Sequence, residues 1–154
     1  MSKKPFVSKE KLDEIAAQYA TPFYLYDETA IRETARRVNK AFAWNQGFKE
    51  YFAVKATPNP AILKILHEEG CGADCSSYTE LQMADAVGFK GDEIMFSSNA
   101  TPAEDFQLAR QLNVTINLDD ITHIDFLEKV ADIPDTAAAV TIRADISSLE
   151  HYYG

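Results

Sequence analysis

Several kinds of residue are scarce in this chain, and each scarcity closes off a class of protein. Of 154 residues two are cysteine, Cys71 and Cys75. That is too few for a disulfide framework. With only His67, His123 and His151 as imidazoles there is no second ligand pair for a zinc site, so both thiols are read as reduced and near the core, and no metal is expected. Glycine is sparse, and apart from the terminal Gly154 it is scattered at Gly47, Gly70, Gly72, Gly88 and Gly91, which leaves neither a dinucleotide fingerprint nor a phosphate-cradling loop. Basic residues are short as well: 15 against 24 acidic ones give a net charge of -9. That balance opposes the counterion-release term of nucleic-acid binding and repels anionic membranes. No apolar run is long enough to cross a bilayer. After Met1-Ser2-Lys3-Lys4 the chain continues Pro5-Phe6-Val7-Ser8-Lys9-Glu10, without the apolar stretch of a signal peptide, and a cytoplasmic home is expected.

What is present is ordinary core material, 46% hydrophobic with 25% charged, enough for one soluble domain. Strand-like and helix-like runs alternate along it. Helices are expected over residues 9–18, 27–42 with Asp27 as cap, from Pro60 to just before Gly70, 77–86 closed by Gly88, 102–112, and 120–130 capped by Asp120. Strand-like runs fall at 22–26, 51–55, 72–75, 93–97, 114–118 and 137–143. From Lys55 onward the strand ends recur at Asp74, Ser97, Asn117 and Arg143, at intervals of 19, 23, 20 and 26 residues. Such intervals hold a strand, a helix and tight connections and nothing more, so right-handed crossovers produce a parallel sheet. An open doubly wound sheet and a (βα) barrel both satisfy the pattern.

In either architecture the carboxyl ends of the strands form the ligand face, which would gather Lys55, Asp74, Ser97 with Ser98 and Asn99, Asn117 and Arg143 on one rim. Lys55 is the chemically pointed member. The run Tyr51-Phe52-Ala53-Val54-Lys55 brings an amine to the mouth of an apolar strand, just before the turn-rich Ala56-Thr57-Pro58-Asn59-Pro60. Desolvation there would favour the neutral amine and so carbonyl attack and Schiff-base chemistry. Each residue also has a plainer reading: Lys55 laying its stem on the core with its charge in water, Asp74 capping the next helix, 97–99 as turn chemistry, Arg143 in a surface ion pair. Convergence of all of them at one strand end favours a site for an anionic, carbonyl-bearing cofactor. Asp119-Asp120 sits at a helix start and reads as a cap with its neighbour.

The segment Tyr51-Phe52-Ala53-Val54-Lys55-Ala56 resembles the lysine segment of the pyridoxal-phosphate decarboxylases built on an alanine-racemase-like barrel. Gly72-Ala73-Asp74-Cys75-Ser76-Ser77-Tyr78-Thr79-Glu80-Leu81 is similar to that family's next block, and Phe23-Tyr24-Leu25-Tyr26-Asp27 to its lead-in. Ile116-Asn117-Leu118-Asp119-Asp120 and the strand carrying Arg143 come next in the family's order, so the likeness covers about 21–143 and is nearest the diaminopimelate decarboxylases. The resemblance implies an α/β fold, a parallel (βα) barrel of the TIM type present in part as about five βα units, and pyridoxal 5'-phosphate as cofactor. It implies decarboxylation of meso-diaminopimelate to L-lysine, with Lys55 forming the Schiff base, Asp74 close to that lysine and the ring, Glu80 supporting Asp74, and Arg143 on the side of the ring nearer its substituent oxygen. Ornithine- or arginine-type decarboxylation fits the Asp74-Cys75 block too, and a non-catalytic βα ligand-binding module is the alternative from another class.

The family's enzymes are longer, with eight barrel strands, a C-terminal β domain and a homodimer whose subunits share sites. The expectation here is a single partial domain over 1–154, with a helical lead-in at 1–22, an atypical tail at 147–154, and no C-terminal β domain. The later segments that bring a ring-stacking histidine, a glycine-rich phosphate loop and an acidic partner for the ring nitrogen are then missing, and little activity is expected of the chain alone.

Overall fold

A computed structural model describes residues 5–131 and 141–142. Among the described residues six α-helices and five strands succeed one another: α1 (Lys9–Gln18), α2 (Glu28–Ala41), β1 (Tyr51–Ala53), α3 (Pro60–Glu68), β2 (Gly72–Cys75), α4 (Tyr78–Val87), β3 (Ile94–Ser97), α5 (Ala103–Gln111), β4 (Thr115–Leu118), α6 (His123–Ala131) and β5 (Thr141–Ile142). Side-chain caps explain why the helices start where they do. Ser8 accepts from the Lys11 N–H at 3.2 Å, Asp27 from Ala30 at 3.0 Å, and Asn59 from Ala61 at 2.9 Å ahead of Pro60 in the first turn. Gly88 closes α4 at φ +121°, a conformation a side chain would resist.

The five strands pair in the order β1-β2-β3-β4-β5, every neighbour parallel. Strand order equal to chain order means that no crossover reverses direction. With crossovers of one hand, all the connecting helices then lie on one face of the sheet. This is the winding of a barrel wall, and it removes the doubly wound alternative, which needs a switch point.

Alternation along each strand sorts the residues between the two faces. Ala73 and Cys75 of β2, Ile94 and Phe96 of β3, and Ile116 and Leu118 of β4 are buried against Leu63, Leu81, Ala84, Phe106, Ala109 and Leu127 from the helices. The residues between them, Asp74, Met95, Ser97 and Asn117, therefore belong to the opposite face. A smaller cluster of Ala35, Ile62, Leu66 and Cys71 packs α2 against α3. Across that contact the Glu69 carboxylate accepts from Nε and Nη2 of Arg36, each at 2.7 Å, and from Arg32 at 3.0 Å.

Three expectations need correction. The run at 22–26 is irregular rather than a strand, because none of the described strands pairs with it, and Tyr24 is 89% exposed. Helix α6 starts at His123 and not at Asp120, whose carboxylate instead takes the Thr122 N–H and hydroxyl in a turn of its own at 2.8 and 2.6 Å. Strand β1 ends at Ala53, so the last two residues of the expected strand are not in it. The tail at 147–154 lies outside the described residues, and no described helix is long and apolar enough to cross a membrane.

Candidate active site at the carboxyl ends of the strands

After Ala53 the backbone leaves the sheet and tightens into a 3-10 turn, Val54–Ala56, in which the Thr57 N–H returns to the Val54 carbonyl at 3.1 Å. The start of α3 dictates this turn. Asn59 and Pro60 must begin that helix on the helix side of the sheet, and the chain has only residues 54–58 in which to reverse. Val54 is fully buried in the core, whereas the next residue, Lys55, is exposed. The sequestered amine expected from the apolar strand is therefore corrected. Strand β1 is the edge of the described sheet, so no neighbouring strand on its far side shields Lys55.

Position survives that correction. Ala53 pairs with Asp74, so Lys55 stands two residues beyond the partner of Asp74, at the same end of the sheet. Asp74 is partly buried and its Oδ1 is closed off from solvent. One strand further, the Asn117 side-chain amide donates to the Ser97 hydroxyl at 3.0 Å, across strands in register at Ser97 and Asn117. Ser98 and Asn99 continue as a turn, with the Ser98 carbonyl accepting from the Thr101 hydroxyl at 3.2 Å. Lys55, Asp74, Ser97 and Asn117 thus share the carboxyl end of one parallel sheet, and Arg143 lies outside the described residues.

Glu80 ties down the turn that follows Asp74. Its carboxylate accepts the Ser76 N–H at 2.8 Å and meets the Ser76 hydroxyl, while its own N–H points to the Ser77 hydroxyl at 3.4 Å. This is a capping box drawn back by one residue, and it fixes the turn after β2. The charges of Glu80 and Asp74 add to burial in pushing the Cys75 thiol up to about 12, with burial the larger cause. Sequence reasoning passed over Asp105, which is buried within the first turn of α5, where burial pushes its carboxyl up. An acid in a first helical turn looks like a dipole partner from sequence, and only the packing shows that this one is buried. A cleft of about 530 Å³ beside the Lys55 turn, lined by Tyr24, Tyr26, Thr57 and Asn59, was likewise not foreseen.

With this geometry in place, the chain matches over residues 28–153 the pyridoxal-binding domain of the pyridoxal-dependent decarboxylases. The chain belongs to that family. Protein TabA of Pseudomonas amygdali pv. tabaci is 47% identical over 127 residues, 82% of this chain and 29% of TabA. The diaminopimelate decarboxylase of Methanothermobacter thermautotrophicus is 37% identical over 119 residues, 77% of this chain and 28% of that enzyme. Among solved structures, diaminopimelate decarboxylase from Helicobacter pylori complexed with L-lysine is 32% identical with a TM-score of 0.72, covering 86% of this chain and 34% of that one. The chain spans about a third of the length of these relatives.

Pyridoxal phosphate, the cofactor of this decarboxylase family, carries an aldehyde, a ring and a phosphate. The residues described fit the first of these: a water-accessible primary amine at the rim, with an acidic side chain on the next strand at the same end. Ser97 and Asn117 add a hydrogen-bonded polar surface two strands along.

Proposed function

We propose that this chain is the N-terminal barrel portion of a diaminopimelate decarboxylase, an enzyme that removes carbon dioxide from meso-diaminopimelate to leave L-lysine, and that Lys55 is the residue that holds pyridoxal phosphate covalently. The observation that carries the reading is the placement of Lys55 and Asp74 at one end of a singly wound parallel sheet, within a sequence whose relatives include diaminopimelate decarboxylases.

When bound, pyridoxal phosphate supplies the electron sink that takes up the pair left behind as carbon dioxide departs. The work of this chain is to bind and to orient. Lys55 presents its Nζ in water, where an aldehyde reaches it without opening the fold, and its deprotonated form is the one that attacks carbonyl carbon. Asp74, held in the sheet by pairing with both Ala53 and Met95, keeps a carboxylate at a fixed distance from the Lys55 turn. A carboxylate there orients a cationic nitrogen and opposes anionic groups, which sets the direction in which a charged ligand lies. The Ser97–Asn117 pair gives the opposite wall a hydroxyl and an amide held in one geometry, since each fixes the rotamer of the other.

Mixing the chain with pyridoxal phosphate, reducing with borohydride and mapping the adduct by mass spectrometry tests the reading. Label concentrated on Lys55 and absent in Lys55→Ala supports it; label spread evenly over surface lysines defeats it in favour of a non-catalytic βα module. Carbon dioxide release from meso-diaminopimelate, ornithine and arginine by the full-length enzyme fixes the substrate, with diaminopimelate expected to lead. Arg143 belongs to the same proposal, as a residue on the cofactor's side of the rim, and replacing it in the full-length enzyme is expected to weaken cofactor retention. By itself the 154-residue chain is expected to show little turnover.

A further inference from the structure

Asn117 is a costly residue for its place in β4. Its neighbours Ile116 and Leu118 belong to the apolar core on the helix side, and Asn117 is buried too, on the opposite face. A buried amide is unfavourable unless its hydrogen bonds are made. The bond that Asn117 makes also settles the direction of a second group. Its side-chain nitrogen donates to the Ser97 hydroxyl oxygen at 3.0 Å, so that hydroxyl accepts on the Asn117 side and its own proton points elsewhere. Among the described residues no acceptor takes the Ser97 proton, and Ser97 is only partly buried. The pair therefore presents one aimed O–H donor at the rim.

Register sets that donor across from Lys55. Ala53, Asp74 and Met95 stand in one row over β1, β2 and β3, and Lys55 and Ser97 are each two residues beyond it toward the carboxyl end. Neighbouring strands lie about 4.8 Å apart, so β1 and β3 are separated by roughly 10 Å. A lysine side chain carrying a pyridine ring on its nitrogen is long enough to cross β2 and meet a side chain of β3. Two acceptors flank the aldehyde carbon of pyridoxal phosphate, the phenolic oxygen on the ring and the phosphate on its arm. A single neutral hydroxyl suits the phenolic oxygen. The phosphate carries more charge, and a phosphate lying over β2 and β3 would be repelled by the Asp74 carboxylate on β2.

We propose that Ser97 is a cofactor-binding residue that donates its O–H to the phenolic oxygen of pyridoxal phosphate held on Lys55, and that Asn117 is the positioning residue that aims this proton by occupying the hydroxyl oxygen from the other side. The inference rests on the proposed role of Lys55. It makes Asn117→Asp a sharp substitution, because a carboxylate only accepts. Aspartate keeps the size of the side chain and a hydrogen bond to Ser97 but reverses that bond, drawing the proton away from the ring.

The test titrates the wild-type chain, Ser97→Ala, Ser97→Thr and Asn117→Asp with three aldehydes, each trapped by borohydride and quantified at Lys55 by mass spectrometry. Pyridoxal phosphate has both acceptors, deoxypyridoxal lacks the phosphate, and isonicotinaldehyde lacks both. Ser97→Ala and Asn117→Asp are expected to weaken formation of the Lys55 adduct about tenfold with the first two aldehydes, the scale of one hydrogen bond to a charged acceptor. With isonicotinaldehyde they should match wild type, which shows that the lysine site is intact. Ser97→Thr keeps the hydroxyl and is expected to behave as wild type throughout. If Ser97→Ala does not fold, Asn117→Asp set against Ser97→Thr carries the comparison. A loss that extends equally to isonicotinaldehyde, a loss confined to pyridoxal phosphate, or wild-type behaviour of Asn117→Asp overturns the proposal. Lys55 adducts formed equally by wild type and all variants defeat this inference alone, whereas no Lys55 adduct in wild type with any of the three aldehydes defeats the Lys55 assignment and this inference with it.

Discussion

Asn117 donates from its side-chain amide to the Ser97 hydroxyl at 3.0 Å, joining the carboxyl ends of β4 and β3 on the face opposite the helices. Asn117 is only 8% exposed, so water cannot readily replace a lost partner. Ser97→Ala and Asn117→Ala are each expected to lower stability by about 1–2 kcal/mol, the cost of stranding one partner of a shielded hydrogen bond. The double variant should lose less than the two single losses together, because the second substitution removes the group the first left unsatisfied. Urea unfolding of the four proteins measures this, and strict additivity would show that the two side chains act independently.

At the other end of the sheet Gly72 leaves room for the Tyr51 ring. A Cβ on Gly72 would lie 2.5 Å from the ring and 2.8 Å from the Glu93 carbonyl oxygen, closer than atoms approach without something moving. Gly72→Ala is expected to destabilise by about 1–3 kcal/mol through overpacking. Tyr51→Leu in the same chain should recover only part of that, measured against Tyr51→Leu alone, since the backbone contact with Glu93 remains. Complete recovery in a denaturation cycle would place all of the strain on the ring.

The helices were legible in the sequence because their signals are local. Ser8, Asp27, Asn59-Pro60 and Gly88 announce their ends within one turn, and α1 runs over the expected residues 9–18. The parallel sheet was legible from its period. The barrel-type winding was not legible from that period, which fits both architectures; the family resemblance pointed to it, and the pairing order bears it out. The exposure of Lys55 was missed for a related reason. Apolar residues before a lysine report what the strand buries, whereas exposure depends on whether anything lies beyond the edge of the sheet. Asp105 escaped notice because an acid in a first helical turn looks like a dipole partner from sequence, and its burial is set by packing that carries no residue signal.

Glu69 should give the protein an acid-sensitive seam between α2 and α3. Its carboxyl is held below the ordinary range by hydrogen bonds from Arg36 and then Arg32. A group whose folded pKa is depressed binds fewer protons in the folded state, so its stabilisation is present above the unfolded value of about 4.3 and is lost as pH falls through the folded one. Wild-type protein is therefore expected to lose more stability than Glu69→Gln as pH falls through the unfolded value of about 4.3 and on through the lower folded one. Added salt should narrow the difference, because the Arg36 side chain is exposed and the pair is screened. Parallel acid-denaturation curves for the two proteins would test the sign.

Cys75 should be inert while the protein is folded. It sits at the end of β2 with no exposed surface, and burial, reinforced by the charges of Glu80 and Asp74, pushes its thiol up to about 12. The thiolate is the reacting species, so its fraction near pH 8 is far below that of an ordinary cysteine, whose pKa is about 8.5. Cys71 is raised in the same direction, with burial first and then the charges of Glu50 and Glu69 as causes. Iodoacetamide at pH 8 is expected to leave both thiols unmodified in native protein and to label both in urea, with the rise in labelling tracking the unfolding transition. Labelling of Cys75 well below that transition would show that the carboxyl end of β2 opens by itself, and would set the stability of the Asp74 strand end apart from that of the rest of the sheet.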